Sequence, residues 1–217
     1  MSTNTRKLTL LAMFAALAYA LVFFIRIPVV PMPPLSYEPK DVVIVIAGFL
    51  FGPLSSFVIS VLVSVLEMVT FSSTWVWGCL MNIVATCSFA FTASFIYKKR
   101  RTLRGAAVGL AVAAIFATGV MLVWNYFITP IYTGFPRAAV AGMLIPTFLP
   151  FNLLKTGLNA GFALLLYQPL RLALGRARLL LPSGAKSGRK ISLGVVLVSV
   201  FIIATGALLI LVWKNII

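Results

Sequence analysis

The chain alternates between long apolar runs and short polar segments. Each long run can cross about 30 Å of hydrocarbon as a helix that rises about 1.5 Å per residue. The long runs occupy residues 8–25, 54–71, 78–97, 105–128, 150–172 and 191–213. A further run at 41–51 is too short to cross as a straight helix, and short hydrophobic segments interrupted by Gly or Pro are typical of binding sites in transporters. The pattern predicts an all-α integral membrane protein, with seven crossings when the short run is counted.

A basic segment containing Gly and Ser separates the last run from the rest of the chain. We therefore predict a six-helix membrane domain over 1–172, a basic cytoplasmic linker over 173–190 and an accessory C-terminal transmembrane helix over 191–217. The basic residues Arg6 and Lys7 precede the first run as they would in a signal peptide. Because further runs follow it at once, we interpret this run as a retained first helix.

The composition supports a membrane location. The chain has 62% hydrophobic and only 10% charged residues, whereas soluble domains have roughly 25% charged residues. Its net charge of +15 comes mostly from basic clusters at 6–7, 98–104 and 171–190. The positive-inside rule places these clusters, and with them the N-terminus, in the cytoplasm. Anionic lipids are a sufficient partner for the clusters, so the charge does not indicate a nucleic-acid-binding protein.

A polar stripe interrupts the apolar run at 150–172. At about 100° per residue, Asn152, Lys155, Thr156 and Asn159 share one face of a helix. A lysine near the centre of a membrane helix costs roughly 2.5–3.5 kcal/mol, and such residues indicate functional sites by default. The alternative is that Lys155 snorkels to the lipid headgroups and only supports the fold. The three amide and hydroxyl groups on the same face favour a functional site.

The outer segment at 26–40 contains five prolines. Because proline fixes φ, the segment cannot be helical, but it loses little entropy on ordering and suits a lid. Within it, Leu35, Tyr37 and Glu38 offer an apolar and aromatic face with hydrogen-bonding groups. Asp41 follows at the position of an N-cap for the next helix, and we expect it to serve only as that cap.

Three more polar side chains are expected near the outer end of the bundle. Asn125 lies level with the start of the polar stripe, and Asn82 lies near the outer end of its run. Glu67 also lies near an outer end, where we expect a structural ion pair with Arg26 or Arg137. The proline-rich segment, Asn125 and the stripe together predict an outward-facing pocket. Such a pocket would bind a solute that has both apolar area and hydrogen-bonding edges.

The chain lacks the residues for several kinds of catalysis. It has no histidine, so it has no imidazole base and no HExxH zinc motif. The phosphate-binding pattern GxxxxGK[ST] is also missing, so the chain cannot hydrolyse ATP by that route. The three acidic residues lie on three elements, and Cys79 and Cys87 are too far apart along one helix to pair. We expect no catalytic residue, no metal site and no cofactor.

Six short strings, in their expected order over about residues 6–170, carry a resemblance to a known family. They are YEPKD at 37–41, AGFLFGP at 47–53, MN at 81–82, IYKK at 96–99, NYF at 125–127 and PFNLLK at 150–155. Together they resemble the riboflavin-specific substrate-binding (S) components of energy-coupling-factor (ECF) transporters. The resemblance implies a six-helix protein of the bacterial cell membrane that captures riboflavin from outside. It also implies partnership with a transmembrane coupling protein and two ATPases, and delivery by toppling in the membrane.

The resemblance also implies roles for individual residues. In the riboflavin members, the asparagine of NYF and the asparagine and lysine of PFNxxK contact the flavin, which corresponds to Asn125, Asn152 and Lys155 here. The loop tyrosine corresponds to Tyr37. The pocket is expected to include a further set of residues chosen by position: Leu35, Glu38, Asn82 and Asn159.

Three alanines of the first helix recur every four residues. Such spacing lets another helix approach closely, and from the pattern alone Ala12, Ala16 and Ala20 are better explained by packing within the bundle. The family resemblance changes this interpretation, because the S components use an alanine-xxx-alanine face of their first helix to contact the coupling protein. The three alanines are therefore expected at the partner interface.

Three alternatives stay open at this point. The chain could be an S component for another vitamin, such as thiamine or folate. It could be a secondary carrier driven by an ion gradient, although the short single-repeat chain and the lack of a midplane carboxylate speak against this. It could also be an assembly or scaffold protein that binds no ligand.

Overall fold

The computed structural model describes residues 3–30, 35–72, 74–176 and 193–214 as a helical bundle with one small hairpin. The helices in these ranges are α1 Thr3–Phe24, α2 Lys40–Phe51, α3 Pro53–Thr70, α4 Trp75–Thr86, α5 Thr92–Arg100, α6 Leu103–Thr133, α7 Arg137–Met143, α8 Leu149–Arg176 and α9 Leu193–Trp213. Single π-helical turns, Cys87–Phe91 and Leu144–Phe148, join α4 to α5 and α7 to α8. The strands are β1 Ile27–Val30 and β2 Leu35–Tyr37.

The predicted all-α membrane fold is confirmed. Within the described residues, six helical stretches are long and apolar enough to cross a membrane. They are Thr5–Phe24, Pro53–Thr70, Trp75–Arg100, Leu103–Thr133, Arg137–Leu174 and Leu193–Trp213. The remaining long element, α2, has 12 residues, which corresponds to about 18 Å. As the sequence indicated, α2 is too short to cross as a straight helix. The prediction of seven crossings, which counted this run, was wrong, since the described residues contain six candidate spans.

Helix α2 occupies the centre of the bundle. Every residue from Lys40 to Phe49 is buried, which is typical of a helix that is apolar around its whole circumference. Gly48 allows a close approach, since a Cβ there would lie 2.1 Å from Ser94 Oγ. Gly52, with φ of 101°, then turns the chain, and Pro53 begins α3 at a position that needs no N–H donor. The short helix therefore begins at one end of the bundle and ends inside the bundle, where the chain reverses direction into α3.

The proline-rich segment forms an antiparallel hairpin, a structure that the sequence did not predict. Ile27 is paired with Tyr37, and Pro28 with Ser36. Proline is tolerated here because a two-stranded ribbon has free edges. The buried hairpin side chains pack with residues of α8 and the preceding π turn: Val29, Val30, Leu35, Tyr37, Phe148, Phe151 and Leu154. The hairpin thus covers the end of the bundle where α2 begins, while prolines 31, 33 and 34 lie outside the described residues.

The last helix, α9, packs against α8. The contact is close at Gly206, where a Cβ would lie 2.5 Å from Leu158 Cδ2. Further along α9, Ile210 belongs to the same buried cluster as the hairpin. Most of the predicted linker at 173–190 lies outside the described residues, so the proposed domain division remains a prediction.

Candidate functional site

A cavity opens at the hairpin end of the bundle. Its walls come from the hairpin, α3, α4, α6 and α8, and it contains about 750 Å³ of space, including the part that is open to solvent. Six of the residues predicted for the pocket line it: Leu35, Glu38, Asn82, Asn125, Asn152 and Lys155. The structure therefore brings together predicted polar residues from four separate parts of the chain: the end of the hairpin, α4, α6 and α8.

Two predicted residues lie behind the cavity wall. The Tyr37 hydroxyl donates to Asn159 Oδ1 at 3.1 Å, and both side chains are buried. This bond joins the hairpin to α8. A direct contact of either residue with a ligand remains a prediction, since neither contributes to the wall of the cavity.

The apolar part of the wall was missed by the sequence reasoning. Met68 of α3, Phe71 directly after α3, Met121 of α6 and Phe151 of α8 all line the cavity. Nothing in their spacing distinguishes them from ordinary core residues. Their position at the outer ends of helices next to polar cavity residues is the one signal that could have indicated their role.

The polar stripe of α8 faces into the protein, which confirms that part of the sequence prediction. The side chains of Asn152, Thr156 and Asn159 are buried, and the Lys155 side chain is only 13% exposed. Asn152 Nδ2 donates to the Phe148 carbonyl at 2.8 Å, and Thr156 Oγ1 donates to the Asn152 carbonyl at 2.8 Å. The snorkelling alternative for Lys155 does not agree with these contacts.

Asn125 is held in a fixed orientation on α6. Its Nδ2 donates to the Met121 carbonyl at 2.7 Å, and its Oδ1 accepts from Thr129 Oγ1 at 2.9 Å. Each amide nitrogen carries two hydrogens, so one hydrogen of Asn125 and one of Asn152 remain available to a solute. Both amides belong to residues that line the same cavity.

A buried lysine connects the hairpin to α3. Lys40, with a side chain only 1% exposed, lies 2.9 Å from Glu38 Oε2 and also pairs with Glu67. Glu38 Oε1 is 3.2 Å from Arg26 Nε, and Glu67 Oε2 accepts from Asn82 Nδ2 at 2.8 Å. The expectation that Glu67 would pair with Arg26 or Arg137 was therefore wrong. Lys40 is nearer in space because the turn at the end of α2 folds α3 back alongside it.

Asp41 also has a different role from the one expected. Helix α2 has Pro39 at its N-cap and no side-chain cap hydrogen bond. Asp41 Oδ1 accepts from Thr86 Oγ1 at 2.7 Å, and Oδ2 accepts from Asn159 Nδ2 at 3.2 Å and lies 3.9 Å from Lys155 Nζ. The cap interpretation was wrong because the side chain points across the bundle, where amide, hydroxyl and ammonium partners stabilise the carboxylate.

The charges around Glu38 keep its carboxyl group ionised. Burial alone would raise the pKa of Glu38, but the positive charges of Lys40, Lys155 and Arg26 outweigh it and lower the pKa to about 2. All three acidic residues of the chain belong to this cluster, together with three basic ones. Arg26 is the exposed member, with a side chain 46% exposed, and the formal charges of the whole cluster sum to zero.

The alanine-spaced face of α1 is on the outside of the bundle at two of its three positions. Ala12 and Ala16 are exposed, and Ala20 is partly buried, whereas Ala15 and Ala18 face the core. The interpretation of Ala12 and Ala16 as packing positions within the bundle was therefore wrong. This face remains available for another helix to approach closely.

Comparisons with known proteins agree on one family. Residues 6–167 match the sequence model described as "ECF transporter, substrate-specific component". The riboflavin transporter RibU of Staphylococcus aureus is 32% identical over 177 residues, which cover 78% of this chain and 92% of that protein. The riboflavin transporter FmnP of Bacillus subtilis is 28% identical over 162 residues, covering 70% and 85% respectively. A solved S component of a bacterial ECF transporter matches with a TM-score of 0.69 and 30% identity, covering 79% of this chain and 99% of that chain.

Proposed function

The chain belongs to the substrate-specific components of ECF transporters, and we propose that it is the subunit that captures riboflavin for such a transporter. It binds the vitamin at the outer face of the membrane and delivers it inward with ATP-driven partner subunits. The observation that carries the proposal is that Asn125, Asn152 and Lys155 line one cavity beneath the hairpin.

The chemistry of the cavity suits a flavin. The pyrimidine edge of the isoalloxazine ring carries carbonyl acceptors and an N–H donor, which oriented amides and an ammonium can bond. The dimethylbenzene end needs an apolar wall, which Phe71 and Phe151 provide. Polar groups buried without partners cost about 1–3 kcal/mol each, so a solute that lacks these hydrogen-bonding edges would be rejected.

The proposed function is tested on the purified protein. We expect a bound yellow chromophore in its absorption spectrum, saturable quenching of riboflavin fluorescence and a higher thermal midpoint in the presence of riboflavin. Absence of quenching at micromolar riboflavin would contradict the proposal. Binding of thiamine or folate in its place would indicate another vitamin. Uptake into vesicles without ATP or partner subunits would indicate an ion-driven carrier.

The partners proposed for the chain are a transmembrane coupling protein and two ATPases. The exposed Ala12 and Ala16 on α1 support a close helix–helix contact with the coupling protein. The energy source would then lie in the partners, because the chain carries no P-loop motif of its own. We place the chain in the bacterial cell membrane with a cytoplasmic N-terminus. The exposed basic residues at 98–101 and Arg104 would contact anionic headgroups there.

Ala16→Leu is expected to prevent co-purification of the coupling protein, because a larger side chain at this position would hold the two helices apart. Riboflavin affinity should stay within about twofold of the unmodified protein, since Ala16 is exposed and remote from the cavity. Ala111→Leu, at an exposed alanine of α6, is the matched control and should leave assembly intact. Normal assembly of the Ala16→Leu protein would place the partner interface elsewhere.

A further inference from the structure

Asp41 belongs to the buried cluster but not to the cavity wall. Its residue exposure is 3%, so a solute in the cavity does not reach it. It nevertheless contacts a residue that does line the cavity, Lys155. Any effect of Asp41 on the ligand must therefore act through its neighbours.

The ion pairs of the cluster divide into two groups. Lys40 lies between Glu38 and Glu67, and Arg26 also pairs with Glu38. Those two glutamates are thus paired with cations other than Lys155, and the acid within ion-pair distance of Lys155 is Asp41, at 3.9 Å. Both side chains are largely shielded from water, so the ammonium and the carboxylate attract each other strongly at this distance.

The lysine needs such an anchor more than the amides do. Asn125 and Asn152 are each held by hydrogen bonds within their own helices. Lys155 has a long flexible stem and loses more rotamer freedom when it becomes fixed. Asp41 is itself fixed by Thr86, which donates to its other oxygen. The carboxylate is therefore a fixed partner for the ammonium of a flexible side chain.

We propose that Asp41 is a positioning residue for the binding site: it holds the Lys155 ammonium at the cavity wall in the orientation that the ligand uses. The same Oδ2 atom accepts from Asn159 at 3.2 Å, and Asn159 accepts from the hairpin residue Tyr37 at 3.1 Å. A chain of contacts therefore links the ligand-facing lysine to the hairpin that covers the cavity. The inference rests on the proposed riboflavin site.

A double-mutant cycle tests the proposal on the full-length purified protein. Riboflavin dissociation constants are measured by fluorescence quenching for the unmodified protein, Asp41→Asn, Lys155→Met and the double variant. Asparagine keeps the shape of aspartate but removes its charge. We expect Asp41→Asn to weaken binding by about tenfold alone, the effect typical of losing a contact to a charged group. In the Lys155→Met protein, the same change should weaken binding by less than about twofold, because the group on which it acts has gone.

Two additional variants keep the test independent of stability. Ser56→Ala alters a buried residue of α3 that donates to the Pro53 carbonyl, far along the helix from the cavity. It should lower the thermal midpoint without changing the dissociation constant. Thr86→Val removes the hydrogen bond to Asp41 Oδ1 but leaves the charge of Asp41 in place, so it should weaken riboflavin binding by about threefold. In the Lys155→Met protein, the same change should leave the affinity unaltered.

The outcomes separate the inference from the proposed function. Equal losses in both backgrounds, or unchanged affinity of Asp41→Asn, would overturn the positioning role while riboflavin binding by the unmodified protein would still support the function. Failure of the unmodified protein to bind riboflavin would overturn both.

Discussion

Lys40→Met is expected to lower the free energy of unfolding by about 3–5 kcal/mol, the typical cost of removing one partner from a buried ion pair. Lys40 is 1% exposed and lies between the carboxylates of Glu38 and Glu67. Methionine has a similar volume, so the packing is preserved and the loss comes from two carboxylates left without their shared cation. The thermal midpoint of the protein in detergent, without ligand, measures the change.

Two comparisons isolate the charge as the cause. Lys40→Met combined with Glu67→Gln should recover part of the lost stability, because it removes one of the uncompensated carboxylates. Lys99→Met, at an exposed lysine of α5, should stay within about 0.5 kcal/mol of the unmodified protein. A Lys40→Met protein as stable as the original would show that the ammonium is not required to balance the two carboxylates.

Lys155→Met and Asn152→Ala are each expected to weaken riboflavin binding by about 1–3 kcal/mol, or about 5- to 150-fold. Both side chains line the cavity, and each offers hydrogen-bond donors to the polar edge of the ring. Because Asn152 is buried and the Lys155 side chain is only 13% exposed, water cannot fully replace a lost donor. Equilibrium fluorescence quenching of the purified variants gives the affinities.

The matched control lies between the two altered positions. Leu153→Ala changes a residue of α8 that is 47% exposed and does not line the cavity, so riboflavin affinity should be unchanged. If Lys155→Met and Asn152→Ala both bound riboflavin as well as the unmodified protein, the polar face of α8 would serve only the fold.

Much of the helical architecture could be predicted because its signals are local. Each long apolar run gives one continuous helical stretch, although a π turn divides the run at 78–97 into α4 and α5. The polar face of α8 follows from helical periodicity within eight residues. Helix ends were less accurate: α6 was expected to end at residue 128 but continues to Thr133, with Pro130 in its last turns. The pairing of 27–30 with 35–37 escaped prediction because the segment has no alternation of apolar and polar residues and contains several prolines.

The charge cluster is the part of the site that could not be predicted from the sequence. Glu67 and Lys40 are 27 residues apart and meet only because α3 folds back beside α2. Asp41 and Asn159 are separated by 118 residues. In the sequence, the acids therefore look scattered, and the cap position of Asp41 and the outer location of Glu67 each suggested a local role. Their true partners depend on the packing of helices that no local pattern specifies.

The neutral formal charge of the cluster has an electrical consequence. A group that carries one elementary charge through a membrane potential exchanges about 2.3 kcal/mol per 100 mV. The cluster around the cavity contains three acids and three bases, and riboflavin is uncharged. Moving this cluster, with its uncharged vitamin, across the field would therefore contribute no net electrical work, and any dependence of uptake on the membrane potential would come from the basic residues outside the cluster.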